Sequence, residues 1–129
     1  MLFRSESPEL CSKLQKIVSV IKVFSVDDDF NFQELEKYEN ACDYFFNICQ
    51  LNVSPLPPCN FPLVSNKKYK SEKPLFLSGG IGIDEIDKIK KLDLPIFAID
   101  INSKFEIEPG LKNIDLCTDA IYRVSHNGI

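Results

Sequence analysis

Short apolar runs rich in β-branched and aromatic residues alternate along this chain with segments whose apolar residues fall at helical spacing. That alternation restricts the possible folds more than any other feature. The runs lie at 20–26, 44–48, 75–77 and 95–101. None shows a clean apolar–polar alternation, so each reads as a strand buried on both faces, as parallel strands are. Between them, 6–17 has Leu10, Leu14 and Ile17 on one helical face, with Ser7 as N-cap and Pro8 at the first helical position. Residues 27–40 read as a helix with Phe32, Leu35 and Tyr38 on one side, and 63–69 as a weak helix. Residues 84–92 form an amphipathic helix with Ile86, Ile89 and Leu92 inward, and 114–124 a last helix. The stretch 51–62 carries Pro55, Pro57, Pro58 and Pro62, so it reads as loop.

The expected order is αβαβαβαβα in one domain spanning 1–129, with a polar tail at 125–129. This is an α/β class of parallel βα repeats, either an open doubly wound sheet or a piece of a (β/α)8 barrel. A dinucleotide fold calls for a glycine-rich turn after its first strand, but Asp27-Asp28-Asp29 stands there. Gly79, Gly80 and Gly82 follow the third run instead, and the polar pair Asn102-Ser103 follows the fourth. Barrels place phosphate sites in the loops after strands 7 and 8, so these glycines favour a barrel. A whole barrel takes about 250 residues; the 129 here suit an incomplete one.

Composition narrows the function classes. Ten Phe and four Tyr supply a core, which excludes disorder as the main state. With 15 Lys plus Arg against 19 Asp plus Glu, the net charge is −4, which argues against nucleic acid as the main partner. The basic run Lys67, Lys68, Lys70, Lys73 reads as a solvated face. No stretch approaches the roughly 18 apolar residues that span a bilayer, and the N-terminus lacks an export pattern. Five cysteines (Cys11, Cys42, Cys49, Cys59, Cys117) without a CxxC pair fit neither a disulfide framework nor a metal site. The sole histidine, His126, lies in the polar tail. The expectation is a reduced, cytoplasmic, metal-free protein without a membrane partner.

Three segments carry a resemblance. Lys73-Pro74-Leu75-Phe76-Leu77-Ser78-Gly79-Gly80-Ile81, then Phe97-Ala98-Ile99-Asp100-Ile101-Asn102-Ser103-Lys104-Phe105-Glu106, then Pro109-Gly110-Leu111-Lys112-Asn113 resemble the closing motifs of phosphoribosylanthranilate isomerase. Upstream, Glu6-Ser7-Pro8-Glu9, Ile21-Lys22-Val23-Phe24-Ser25 and Tyr38-Glu39-Asn40-Ala41-Cys42-Asp43-Tyr44-Phe45 are similar to the stretches around that family's fifth and sixth strands. The resemblance implies the C-terminal half of a TIM barrel, about strands 5–8, with the end of strand 4 near Leu2-Phe3. It also implies a part in tryptophan biosynthesis, the Amadori rearrangement of N-(5′-phosphoribosyl)anthranilate, a reaction without cofactor. That chemistry needs a general acid, a general base and a phosphate anchor.

Carried over by position, the resemblance makes Ser78, Gly79, Gly80, Asn102 and Ser103 the phosphate anchor and Asp100 a substrate contact. Glu106, Pro109, Gly110 and Lys112 shape the turn into the last helix. The family's general base is a cysteine after its first strand, and none of the five cysteines stands in that context. The general-acid position falls on Ile48, or on Asn47 with a one-residue slip; neither is an acid. Asp43 belongs to the matched Cys-Asp-Tyr segment and is no substitute. The family's glycine turn after strand 6 falls on Pro55-Leu56-Pro57-Pro58, and its Phe-Asp-Trp on Phe61-Pro62-Leu63. The implied protein is a truncated family chain, inactive alone, that binds a phosphorylated sugar. Its open edges would self-associate or take up an N-terminal half-barrel. The alternative is a non-catalytic sugar-phosphate-binding or barrel-complementing module.

Overall fold

The computed structural model describes residues 1–26, 29–49 and 69–126. The proline-rich loop at 51–62, all but the last residue of the helix expected at 63–69, and the Pro55–Pro58 and Phe61–Leu63 positions lie outside the described residues.

Five strands form one parallel sheet: β1 (Leu2–Phe3), β2 (Ile21–Val26), β3 (Tyr44–Cys49), β4 (Leu75–Ser78) and β5 (Ile96–Asp100). Their spatial order is their chain order, β1-β2-β3-β4-β5, and every neighbouring pair is parallel. A doubly wound sheet reverses its strand order partway; this one does not. Parallel crossovers are right-handed, so an unreversed order goes with described connecting helices that share one face. The winding is therefore of the single-sided kind that barrels use.

Helices α1 (Pro8–Gln15), α2 (Ile83–Ile89) and α3 (Ile114–His126), with a 3₁₀ helix at Phe32–Tyr38, build the covering layer. Side chains alternate along a strand, and Phe24, Phe45, Leu75 and Leu77 point into this layer, joining Cys11, Leu35, Ile86, Ile89 and Ala120 in the core. Ser7 caps α1 as expected, its Oγ accepting from Leu10 N at 3.3 Å, with Pro8 at the first position. The face of α1 differs from expectation. The helix ends at Gln15, and Cys11 is its fully buried residue, while Leu10 is exposed and Ile17 is 82% exposed beyond the helix.

The segment 27–40 corrects the expectation of an α-helix: it is 3₁₀ over Phe32–Tyr38, opened by Asn31, whose side chain accepts from Gln33 N. The reason is legible in the spacing. Phe32, Leu35 and Tyr38 recur every three residues, the period of a 3₁₀ helix, which aligns all three on one side. A further difference is the antiparallel hairpin of β6 (Glu106–Glu108) and β7 (Leu111–Lys112), turning through Pro109 and Gly110 (φ 85°). The last helix runs through His126, two residues into the expected polar tail. Lys22, a strand residue, is buried; its ammonium donates to the Arg4 carbonyl and sits 4.5 Å from the centre of the Tyr38 ring.

Candidate functional site

Parallel strands present all their carboxyl ends at one edge, and the pairing register lays a single row of residues across that edge. Ser25 pairs with Ile48, Ile48 with Ser78, and Ser78 with Asp100. Alternation puts this row on the face away from the helices. Asn47, one residue earlier, points the other way, into the helix layer, where it is 0% exposed. Of the two positions the sequence left open, Ile48 is therefore the one in the row. Asn47 is not in it, and among the described residues its carboxamide Nδ2 and Oδ1 have no hydrogen-bond partner.

Within the row, Ser78 Oγ donates to Asp100 Oδ2 at 2.9 Å. This pair fixes the row's sole carboxylate at the ends of β4 and β5. Directly after Ser78 the chain turns through Gly79 (φ 104°) and Gly80 (φ 63°), in the left-handed region that side chains disfavour. Gly82 is close-packed for a different reason: a Cβ there would meet Glu85 Oε2 at 2.9 Å and Lys104 Cδ at 3.0 Å, so these two flexible side chains would have to shift. Gly82 N donates to Glu85 Oε2 at 2.9 Å, and Lys104 Nζ lies 3.2 Å from the same oxygen. Burial would raise the Glu85 carboxyl, but the bonds from Lys104 and the Gly82 N–H outweigh it and hold it below its ordinary range. The first turn of α2 is thus already occupied by a carboxylate.

The expected anchor residues divide. Ser78, Gly79, Gly80 and Asp100 come together at the ends of adjacent strands. Ser103 is exposed and opens a short 3₁₀ turn, Ser103–Phe105, in the next loop. Asn102 is engaged elsewhere: Lys112 Nζ donates to its Oδ1 at 2.5 Å and to Glu106 Oε1 at 2.7 Å, tying the loop after β5 to the hairpin. That arrangement accounts for Glu106 and Lys112 as residues that shape the turn. Ser25 was missed; its signal was a polar residue near the end of a run that is apolar apart from Lys22.

Asp43 lies at the opposite, amino end of β3. Its Oδ2 accepts from Val20 N at 2.7 Å and its Oδ1 from Gln15 Nε2 at 3.0 Å, pinning the chain ahead of two strands. Burial pushes this carboxyl up, but those two hydrogen bonds and Lys73 prevail and hold it below the ordinary range. Cys11 and Cys42 are buried free thiols, the latter pushed up to about 11 by burial, which Lys73 only partly offsets. Neither is near the row in sequence register. A cavity of about 1010 Å³ between Phe30, Phe32, Glu36, Glu39 and Ser71 includes no residue of the row. Among the described residues no three His, Cys, Asp or Glu side chains gather as a metal site, and no helix is long and apolar enough to cross a membrane.

Comparison with known proteins bears on the family and the fold. Residues 2–122 match the family profile described as N-(5′phosphoribosyl)anthranilate (PRA) isomerase. The N-(5′-phosphoribosyl)anthranilate isomerase of Parabacteroides distasonis is 38% identical over 130 residues, covering 99% of this chain and 59% of the relative. That of Phocaeicola vulgatus is 33% identical over 112 residues, covering 84% and 54%. The chain thus spans little more than half the length of these relatives. Among solved structures, the phosphoribosyl anthranilate isomerase of Thermus thermophilus superposes with a TM-score of 0.69 at 18% identity, over 95% of this chain and 58% of that one. A monomeric form of the normally dimeric enzyme of Thermotoga maritima gives 0.67, also at 18% identity, over 95% and 69%. The profile match across nearly the whole chain places this protein in the N-(5′-phosphoribosyl)anthranilate isomerase family of tryptophan biosynthesis.

Proposed function

We propose that these 129 residues form the later strands of a (β/α)8 barrel, from the end of the family's fourth strand through its eighth. In this reading they supply the sugar-phosphate side of an isomerase site. The observation that carries it is the Ser78–Asp100 pair set beside the Gly79–Gly80 turn, at the carboxyl ends of adjacent strands. Backbone at a glycine turn can approach a phosphate closely and present N–H groups to it. Asp100, held by Ser78, accepts a hydrogen bond from a ribose hydroxyl and so orients the sugar.

Proton transfer is another matter. The Amadori rearrangement needs one group to protonate the opening ring and another to remove the C2′ proton, each with a pKa near the working pH. Ile48 occupies the row position between Ser25 and Ser78, and an alkyl side chain transfers no proton. The family's basic cysteine belongs to a strand outside the matched segment. The 129-residue chain on its own therefore binds the phosphorylated sugar without isomerising it.

The test is a calorimetric titration with ribose 5-phosphate beside an assay of phosphoribosylanthranilate consumption. Binding heat, reduced in Ser78→Ala and Asp100→Ala, together with no consumption is the expected result. Turnover by the 129-residue chain, or no heat at millimolar ligand, would overturn it.

A further inference from the structure

The loops at 79–82 and 101–113, which follow the Ser78 and Asp100 strands, contain two cations, Lys104 and Lys112. They differ in how far their hydrogen-bonding capacity is used. An ammonium has three N–H donors. Lys112 uses its donors locally, on Asn102 O at 3.3 Å, Asn102 Oδ1 at 2.5 Å and Glu106 Oε1 at 2.7 Å. Among the described residues Lys104 makes one bond, to Glu85 Oε2 at 3.2 Å. Two of its donors are left unused.

Lys104 is also held in place. Its stem lies across Gly82, with Cδ 3.0 Å and Cβ 3.7 Å from where a Cβ on that glycine would stand. The carboxylate it meets is fixed in turn by the Gly82 N–H, at 2.9 Å, and is the more buried partner, 13% exposed against 37%. The loop after β5 thus carries its cation over to the loop after β4. Gly80 lies two residues before Gly82, at most about 7 Å along the chain. The lysine's four-carbon stem and a phosphate group together cover that span.

Charge gives this placement its consequence, since a partly exposed ion pair adds little to stability. A phosphate monoester carries about −1.5 to −2 at pH 7. At the Gly79–Gly80 turn it meets two nearby carboxylates, Asp100 in the row and Glu85 at the start of α2. Backbone N–H groups point partial charges at an anion but bring no net charge, and like charges set side by side disfavour binding. Of the two cations in these loops, Lys104 is the one with donors unused.

We propose that Lys104 is the phosphate-binding cation of this site: tethered by Glu85, it turns its two remaining N–H donors to the phosphate of a sugar phosphate seated at the Gly79–Gly80 turn. This rests on the reading of these loops as the sugar-phosphate side. Glu85 positions the ammonium without touching the ligand. The site thereby selects a phosphorylated sugar over the free sugar.

The test is calorimetric titration of ribose 5-phosphate into the 129-residue chain and three variants, each verified as folded by circular dichroism. Lys104→Met should bind roughly tenfold more weakly or worse, as loss of a hydrogen bond to a charged group does. Lys104→Arg should keep most of the affinity. Lys37→Met removes the same charge from the exposed Lys37–Glu34 pair on the 3₁₀ helix and should change little. In the unaltered chain, the NMR signal of the Lys104 ε-methylene should shift with ribose 5-phosphate and not with ribose. Unchanged affinity in Lys104→Met, an equal loss in Lys37→Met, or a still ε-methylene while heat is released would overturn the role of Lys104 and leave the sugar-phosphate reading standing. No heat from the unaltered chain at millimolar ligand would remove that reading and the role of Lys104 with it.

Discussion

Replacing Asn47 by Leu should stabilise the protein. Asn47 is fully buried on β3, between Phe24 and Leu77 in register, facing the helix layer. Among the described residues neither polar atom of its carboxamide has a partner, and each such atom costs about 1–3 kcal/mol when buried unpaired. Leu has the same branched skeleton, so it enters the space without overpacking and places methyl groups against Phe45, Leu75 and Leu77. Taking the low end of the range for each atom gives a gain of about 2 kcal/mol. With a urea slope of about 1–3 kcal/mol per molar, the unfolding midpoint should rise by roughly 1 M. Asn47→Asp and Ile48→Asp extend the test to the neighbouring position. A carboxylate at 47 would be buried without a cation and should cost about 3 kcal/mol or more. At 48, on the open face, it should cost about half as much. An unchanged or lower midpoint for Asn47→Leu, or equal cost of the two Asp variants, would refute the assignment of faces on β3.

Other expectations concern the frame. Asp43→Asn should destabilise by about 1–2 kcal/mol at neutral pH through its bonds to Val20 N and Gln15. Because the folded-state pKa of Asp43 is depressed, its contribution is complete above the ordinary carboxylate range, near pH 4, and fades as pH falls through the folded value. Acid titration of stability should therefore be shallower in the variant than in the parent; identical slopes would remove the assigned role. Leu35→Ala, in the 3₁₀ core position, should cost about 2–4 kcal/mol, whereas Ile17→Ala should stay within about 0.5 kcal/mol; denaturant melts check both. In the native state Cys11 and Cys42 should react with a thiol reagent far more slowly than after unfolding, since both are buried and Cys42 is pushed up to about 11.

The strands were legible because their runs are long, apolar and unbroken, and the observed β2 to β5 fall within a residue or two of them. Their burial was legible too, but not which side chains face which way. Along Tyr44-Phe45-Phe46-Asn47-Ile48 both faces are apolar except at Asn47, so no alternation marks the row. Pairing register was needed to set Ile48 beside Ser78 and Asp100. The 3₁₀ helix was misjudged because a three-residue period resembles a 3.6-residue one over two turns. The β6–β7 hairpin left a cue in Pro109-Gly110 between Glu-Ile-Glu and Leu-Lys, the flanks of a tight turn. On α1, Cys11 rather than Leu10 faces the core, a choice made by helix phase against β2 and the 3₁₀ helix that hydrophobicity does not record. Buried Lys22 escaped for a related reason: lysines belong outside, and only a carbonyl and a ring placed by distant segments make its burial tolerable. The bond from Lys112 Nζ to the Asn102 oxygen, ten residues apart in the chain, left no sequence cue.

The most direct measurement of the central reading is a ribose 5-phosphate titration of the isotope-labelled 129-residue chain, following backbone amides by NMR. Saturable shifts confined to Gly79, Gly80, Asp100 and Ser103, and absent in Asp100→Ala, are expected from a sugar-phosphate side built at the ends of β4 and β5. Shifts clustered instead around Phe32, Glu39 and Ser71, or none at millimolar sugar phosphate, would contradict it.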